Sequence, residues 1–162
     1  MDFKFKPLNI DDLKLIEKWY QNPHVREFWD PGLSWDEARK KFAETLKSPS
    51  TYPFIIYYKK FPVGLIQYYL VGENPPLPEI NPDAVGIDLF IGEEYLTRKG
   101  LGPKIIRNFM KLIELKQGSV QVITDPVSHN IYGISAFKKS GFLELGKVPT
   151  GDGGEYLYLS RA

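Results

Sequence analysis

One acidic residue stands inside an otherwise apolar stretch of the sequence. Asp88 interrupts the run Val85–Ile91, whose other members are apolar residues and one glycine. A carboxylate on a strand that otherwise looks buried is unfavourable unless another group pairs with it or it performs a function. Asp88 is therefore the first candidate for chemistry, because a carboxylate can orient an ammonium group and collect its proton.

A glycine-containing turn follows between a predicted strand and a long predicted helix. It contains Gly100, Leu101 and Gly102 between flanking basic residues, which are Arg98, Lys99 and Lys104. Glycines let a backbone approach a ligand closely, and the N–H groups at a helix start can point at an anion. The spacing matches neither the dinucleotide fingerprint nor a P-loop. A pyrophosphate site is the functional interpretation, and an ordinary strand-to-helix turn is the alternative.

Charges are separated along the sequence, although the formal net charge is only +1. The stretch from Phe61 to Thr97 holds six acidic residues and no Lys or Arg, whereas the stretch from Arg98 to Lys116 holds six basic residues and one acid. Two solvated surfaces of opposite sign would explain this pattern. Alternatively, a basic end serves an anionic cofactor and an acidic end serves a cationic substrate.

Periodicity and capping signals predict a mixed α/β sheet without repeats or a linker. Helices are predicted from Asn9 or Asp11 to Asn22-Pro23, from a Ser34/Glu37 capping box to Lys47, and over Gly102–Lys116 and Asn130–Ser140. Seven strands are predicted at Phe3–Lys6, Tyr52–Lys59, Val63–Val71, Val85–Ile91, Val120–Thr124, Phe142–Lys147 and Tyr156–Ser160. The stretch Gly72–Asp83 holds four prolines and is predicted to be a long loop.

These pieces in this order resemble the GNAT acetyltransferases. The resemblance rests on the strand Gly86 to Gly92, the turn Arg98 to Gly102, the strand Val120 to Thr124, and a helix that begins at Asn130 and finishes with S-G-F. Within that family, the sequence is similar to the aminoglycoside 6'-N-acetyltransferases. Five segments carry this similarity, namely N-P-H-V-R-E-F-W (22–29), G-L-I-Q-Y-Y (64–69), G-I-D (86–88), T-D-P (124–126) and D-G (152–153).

The resemblance covers essentially the whole chain and implies both a fold and a cofactor. The implied fold is α/β (α+β), a single GNAT-type domain over residues 1–162 with a central mixed, mostly antiparallel twisted sheet and about four helices. The implied co-substrate is acetyl-CoA, with no metal. By resemblance, Gly100, Leu101 and Gly102 hold the pyrophosphate, Leu89, Phe90 and Ile91 pair with the pantetheine arm, and Asn130 contacts that arm. Thr97 and Pro103 depart from the usual motif.

The resemblance also implies the acceptor side and the reaction. Asp88 is then the carboxylate near the reacting amine, Gln67 and Trp29 line the acceptor pocket, and Asp152 contacts a distant part of the acceptor. The amine attacks the thioester directly in a ternary complex. An ordinary aspartate has a pKa of about 3.9, so binding and orienting the amine is at least as important a role as base catalysis. The acids Glu73, Glu79 and Asp83 would attract a polycationic acceptor.

One departure leaves the release of CoA without an assigned acid. Related enzymes frequently carry a tyrosine where this chain has Phe137, which cannot donate a proton. Tyr132 or another hydroxyl substitutes, or the thiolate takes its proton from water. Two alternatives stay open: a siderophore-type N6-hydroxylysine acyltransferase with a similar N-P-x-V-x-x-F-W opening, and a non-catalytic protein that binds acyl-CoA or a small molecule.

Composition excludes several other classes. The 162 residues include no cysteine, and the two histidines are far apart in sequence, so neither a disulfide framework nor a metal cluster is predicted. No apolar run is long enough to span a membrane, and the N-terminus lacks a secretion signal. We therefore expect a cytoplasmic monomer or homodimer that binds a small-molecule amine, and neither nucleic acid nor membrane.

Overall fold

The structure is a computed structural model that describes residues 2–161. The chain divides into two compact units. The first contains the residues up to Tyr68 together with Asp88–Thr97, and the second contains Tyr69–Ile87 together with the residues from Arg98 onward. The prediction of one domain over 1–162 stays a prediction.

The first unit packs three helices against the start of the sheet. Its helices and the strands around them are β1 (Phe3–Pro7), α1 (Leu13–Tyr20), α2 (Pro23–Arg26), α3 (Trp35–Lys47) and β2 (Thr51–Tyr58). The predicted Ser34/Glu37 capping box is confirmed, since Glu37 N donates to Ser34 Oγ at 3.2 Å and Ser34 N donates to Glu37 Oε1 at 3.1 Å. Apolar residues of all three helices then form one core with Ile55, Leu65 and Phe90.

Two local features of the first unit differ from the prediction. The short helix α2 begins at Pro23, where the sequence indicated that a helix ends. Proline is well suited to the first turn of a helix, so the same residue that ends α1 starts α2. The strand β3 (Phe61–Leu70) begins at Phe61, not Val63, because the turn is tightened by Lys59 at a φ of 56°. Residues 2–161 thus contain five α-helices where about four were predicted.

The second unit continues with alternating strands and helices. After β4 (Val85–Ile91) come α4 (Leu101–Gln117), β5 (Val122–Thr124), α5 (Ile131–Lys139), β6 (Leu143–Pro149) and β7 (Glu155–Arg161). Gly118 ends α4 at a φ of 79°, and Gly141 follows α5 at a φ of 95°, both in backbone conformations that favour glycine. The predicted bounds of β4 are confirmed, and those of the other elements differ by up to two residues.

The strands form one seven-stranded sheet in the order β1-β2-β3-β4-β5-β7-β6. The pair β4–β5 is parallel, whereas β1–β2, β5–β7 and β6–β7 are antiparallel. The parallel pair is explained by the long connection through α4, since parallel neighbours need a crossover. The predicted mixed, mostly antiparallel sheet is confirmed.

The proline-containing loop between β3 and β4 is anchored within the second unit. Its base is closed by Val71 N donating to Ala84 O at 3.0 Å and by Gly72 N donating to Pro82 O at 3.1 Å. Ile80 is 2% exposed and packs with Ile123 and Tyr158. The loop is therefore ordered, while its carboxylates Glu73, Glu79 and Asp83 remain exposed. Within residues 2–161, no helix has the length and apolar character needed to cross a membrane.

Candidate active site

Asp88 lies in the middle of β4 and is half-buried. Gln67 of β3 donates from Nε2 to Asp88 Oδ2 at 3.1 Å. Burial raises the pKa of Asp88 above the ordinary aspartate value; the Gln67 hydrogen bond opposes this shift, and the negative charge of Asp30 adds to it. Asp88 is therefore a stronger proton acceptor than an ordinary aspartate and is held in one orientation.

Trp29 lies against the same face of β4. Side chains two residues apart on a strand share a face, so Phe90 projects from the side that carries Asp88. The Trp29 ring meets Phe90 edge-to-face, with the ring centroids 5.1 Å apart, and is parallel to Phe42 at 6.4 Å. Trp29 stays half-buried. The first unit thus brings together the predicted residues Trp29, Gln67 and Asp88, which we call the acceptor cluster.

A turn that the sequence analysis missed follows Trp29 directly. Asp30 has a φ of 46°, which is uncommon for a residue other than glycine, and Lys41 Nζ lies 2.6 Å from its Oδ1. Tyr20 donates its hydroxyl to the carbonyls of Asp30 at 3.2 Å and Leu33 at 2.8 Å. The sequence D-P-G at 30–32 is a turn signal that could have indicated the turn. This turn signal gave no indication that the charge of Asp30 affects the pKa of Asp88.

Two residues of the N-P-H-V-R-E-F-W segment, Asn22 and His24, bind backbone carbonyls at the C-terminal end of β4. His24 Nε2 lies 2.8 Å from Ile91 O, and Asn22 Nδ2 donates to Gly92 O at 2.9 Å. Because a carbonyl only accepts, His24 carries its proton on Nε2. Its buried Nδ1 has no hydrogen-bond partner among residues 2–161. The Ile91 carbonyl, predicted to pair with a pantetheine arm, therefore already accepts one hydrogen bond.

The segment from Arg98 to Lys104, which we call the glycine turn, leads into α4 in the second unit. Gly100 precedes the helix at a φ of 78°, and no side chain caps the first N–H groups. A Cβ on Gly100 would meet nothing within 4 Å. Arg98, Lys99 and Lys104 are exposed, whereas Leu101 is only 9% exposed. The turn thus offers unpaired backbone amides, an open approach and basic side chains, as an anion requires.

Gly102 has a different physical reason to be glycine. A Cβ on Gly102 would lie 3.3 Å from the Ala136 Cβ of α5. The residue is small because α4 and α5 pack closely at this point. Gly100 has open surroundings and a positive φ, whereas Gly102 has neither, and the predicted pyrophosphate contact stays a prediction for both glycines.

Asn130 caps α5 with its own side chain. Its Oδ1 accepts a hydrogen bond from Gly133 N at 3.1 Å. A Cβ on Gly133 would come within 2.7 Å of Asn130 Nδ2, so the glycine leaves room for this cap. The side-chain oxygen is engaged locally, and Nδ2 is the group with which Asn130 could donate to a pantetheine carbonyl. The predicted contact stays a prediction.

The two aromatic residues considered for proton donation differ in their surroundings. Phe137 is 5% exposed and packs edge-to-face on Phe142 at 5.1 Å, which makes it a core residue. Tyr132 is 56% exposed. Arg98 donates from an NH1 nitrogen to the Tyr132 hydroxyl at 3.2 Å, and its guanidinium lies 4.6 Å from the ring centroid. Tyr132 therefore belongs with the glycine turn.

Asp152 shapes its own loop between β6 and β7. Its Oδ1 accepts hydrogen bonds from Thr150 Oγ1 and from Gly154 N. The Thr150 hydroxyl, and then the Gly154 amide, lower the pKa of this exposed carboxylate below its ordinary value. Asp152 thus stays ionised, and its Oδ2 is the oxygen that a distant acceptor group could use. The predicted contact with an acceptor stays a prediction.

Comparison with known proteins identifies the family. Residues 9–150 match the family model described as an acetyltransferase (GNAT) domain. The aminoglycoside N(6')-acetyltransferase type 1 of Klebsiella pneumoniae is 29% identical over 153 residues, which cover 88% of this chain and 74% of that protein. The kanamycin resistance protein of Rhizobium radiobacter is 33% identical over 75 residues, which cover 46% of this chain and 69% of that protein.

A solved structure extends this likeness to the fold. Aminoglycoside acetyltransferase AAC(6')-Ib, in complex with coenzyme A and kanamycin, has a TM-score of 0.85 at 25% identity, over 99% of this chain and 94% of that chain. Because the family model spans most of the sequence, the chain belongs to the GNAT acetyltransferase family.

Proposed function

We propose that the chain transfers an acetyl group from acetyl-CoA to a primary amine of a small cationic acceptor, namely the 6'-amine of an aminoglycoside. The observation that carries the proposal is the half-buried carboxylate of Asp88, held by Gln67 on the face of β4 that also carries Trp29. Its raised pKa suits a group that must take a proton from an amine. The resemblance to aminoglycoside 6'-N-acetyltransferases and the solved complex with kanamycin support the choice of acceptor.

The glycine turn fits the pyrophosphate of acetyl-CoA. Phosphate oxygens need N–H donors and positive charge, and the start of α4 offers both without a competing side-chain cap. The open space at Gly100 lets the backbone approach the anion closely. When bound, acetyl-CoA supplies a thioester whose carbonyl carbon is the acetyl donor.

Asp88 has two tasks in the transfer. A primary amine is protonated at neutral pH and cannot act as a nucleophile in that form. The ionised carboxylate first binds and orients the ammonium group, and then accepts its proton directly or through water. The Gln67 amide keeps Asp88 Oδ2 in place, which leaves Oδ1 for the amine. The neutral amine attacks the thioester carbon as the carbon–sulfur bond breaks, and the second proton that the nitrogen loses passes through water to the departing thiolate.

The departing thiolate needs no protein acid in this scheme. Phe137 is a buried core residue that cannot donate a proton, and Tyr132 is an exposed residue that pairs with Arg98 of the glycine turn. A free thiol has a pKa of about 8.5, so a thiolate takes a proton from water without a large penalty at neutral pH. We therefore assign no general acid. The predicted cytoplasmic location and the monomeric or homodimeric state stay predictions.

The experiment that tests the proposal compares neomycin with paromomycin, which carry an amine and a hydroxyl, respectively, at the 6'-carbon. Because the chain has no cysteine, released CoA can be followed by a thiol reagent without background from the protein. We expect neomycin to release CoA and gain one acetyl group by mass spectrometry, and paromomycin to react at least about a hundredfold more slowly. Equal rates would show that another amine is the acceptor. No turnover with any aminoglycoside would contradict the proposed substrate.

A further inference from the structure

The turn after Trp29 is fixed by the core of the first unit. Asp30 adopts a φ of 46°, and the hydroxyl of Tyr20, a residue 2% exposed, donates to the carbonyls of Asp30 and Leu33. A buried tyrosine that bridges two carbonyls restricts the turn to one shape. The backbone that carries the Asp30 side chain is therefore held in place, although it belongs to a loop.

Asp30 belongs to the surroundings of Asp88. Trp29, its neighbour in sequence, packs on Phe90, and Phe90 shares a face of β4 with Asp88. The negative charge of Asp30 is also one of the causes that raise the pKa of Asp88. A second carboxylate, Asp30, thus follows the Trp29 ring of the acceptor cluster directly in the chain.

The partner of Asp30 is a replaceable cation. Lys41 Nζ lies 2.6 Å from Asp30 Oδ1, yet the Lys41 side chain is 56% exposed whereas the Asp30 side chain is 22% exposed. An ion pair whose cation is this exposed contributes little to folding stability. The pair therefore has no evident structural importance, and an ammonium group from solution can take the place of the Lys41 ammonium.

We propose that Asp30 is a specificity-determining residue, which binds a second ammonium group of the acceptor on the sugar ring that carries the reacting amine. When no acceptor is bound, Lys41 forms an ion pair with Asp30. The inference rests on the proposed function and names the preferred substrate class, which is an acceptor with two ammonium groups on one ring. The first ammonium lies on Asp88 and the second displaces Lys41 from Asp30.

Kanamycin A and kanamycin B provide the test, because they differ only in a hydroxyl or an amine at the 2'-carbon of the ring that carries the 6'-amine. The measured quantity is the preference for kanamycin B, defined as the ratio of the two kcat/KM values. We expect Asp30→Asn to lower this preference about tenfold, in the range of a lost hydrogen bond between charged groups. Lys41→Met should raise the preference severalfold, because Asp30 then has no internal counterion.

The opposite changes in preference expected for Asp30→Asn and Lys41→Met distinguish a role in specificity from a structural role. If the ion pair only stabilises the fold, both variants break the same contact and shift the preference in the same direction or not at all, and either result would overturn the proposal. Glu144→Gln is the matched control, since it breaks the exposed 2.7 Å ion pair with Lys138 in the second unit and should leave the preference unchanged. An unchanged preference in Asp30→Asn would also overturn the proposal.

Calorimetry distinguishes failure of this inference from failure of the proposed function. The same variants are titrated with kanamycin A and kanamycin B in the absence of acetyl-CoA, so that the preference is read as a ratio of dissociation constants. Absence of turnover in the unmodified protein would contradict the proposed function. The binding ratio would still decide the role of Asp30, with the same opposite changes expected for Asp30→Asn and Lys41→Met.

Discussion

The acceptor cluster consists of polar and aromatic side chains, whereas the glycine turn presents mainly backbone N–H groups. In the first unit, Asp88 is half-buried and held by the side chain of Gln67, and burial raises its pKa. In the second unit, the glycine turn is exposed and offers backbone amides at the start of α4. The acceptor cluster thus depends on one carboxylate, whereas the glycine turn depends on backbone shape. The two should respond to different substitutions.

Asp88→Asn should have the largest effect, and it should change the acceptor cluster without changing the glycine turn. Asparagine keeps the size and most hydrogen bonding of aspartate but removes the charge that we propose binds and deprotonates the amine. We expect kcat/KM for neomycin to fall by about a hundredfold or more, in the range of a lost general base. The dissociation constant of acetyl-CoA, measured by calorimetry, should stay nearly the same. A folded Asp88→Asn protein with unaltered kinetics would place the acceptor site elsewhere.

The complementary substitution is Gly100→Ala in the glycine turn. A Cβ at a φ of 78° strains the backbone and stands in the open approach to the helix start. We expect affinity for acetyl-CoA to fall about tenfold, equivalent to about 1.4 kcal/mol, with little change in the KM for the acceptor. The control is Gly118→Ala at the other end of α4, where φ is 79° and ψ is −164° and a Cβ also meets nothing. Because this conformation is even less accessible to alanine than that of Gly100, the control strains α4 at least as much without changing the glycine turn. Equal loss of affinity in both variants would assign the effect to strain in α4.

A smaller effect should come from the exposed acids of the loop between β3 and β4. Glu73, Glu79 and Asp83 are exposed, so they can attract a polycation but are screened by salt. Neutralising all three should lower kcat/KM for neomycin severalfold at low ionic strength, and the loss should shrink as salt is added. A loss of the same size at every salt concentration, or no loss, would show that these carboxylates only solvate the surface.

The smallest expected effect is a change in folding stability when the charge of Asp88 is removed. Because burial raises the pKa of Asp88 in the folded state, its ionised form destabilises the fold above that pKa, by about 1.4 kcal/mol for each unit of the shift. Asp88→Asn should therefore raise the melting temperature at neutral pH, and the gain should decrease as pH falls towards the ordinary aspartate value. A variant that is less stable than the unmodified protein at neutral pH would contradict an unfavourable buried charge.

The sequence predicted best those features that depend on neighbouring residues. The Ser34/Glu37 box, the bounds of β4 and the turn before α4 all follow from local signals, and the structure contains each of them. Proline can follow the end of one helix or occupy the first turn of the next. The helix α2 was missed because Pro23 was interpreted only as the end of a helix. Local patterns also could not reveal that Gly102 is small because Ala136 lies against it.

Contacts between residues distant in sequence account for the rest. Asn22 and His24 hold the carbonyls of Gly92 and Ile91, and no signal near either partner indicates the pairing. Asp30 was missed for the same reason, since its relevance depends on Trp29 packing against β4. Residue types indicated that Asp88 needed a partner, but only the fold identifies Gln67 as that partner.

The most direct test of the central claim is the pH dependence of kcat/KM for neomycin in the unmodified protein and in Asp88→Asn. Because the ammonium group passes its proton to ionised Asp88, the reacting complex holds as many protons as the free protein and the free acceptor above the Asp88 pKa, so log kcat/KM should be nearly independent of pH there. It should fall with a slope of about one below the Asp88 pKa, which lies above the ordinary aspartate value of about 3.9 because of burial. Asp88→Asn depends on amine that is already neutral in solution, so its log kcat/KM should rise with a slope of about one up to the pKa of the amine. The same pH profile in both proteins would contradict the assignment of Asp88 to the acceptor amine.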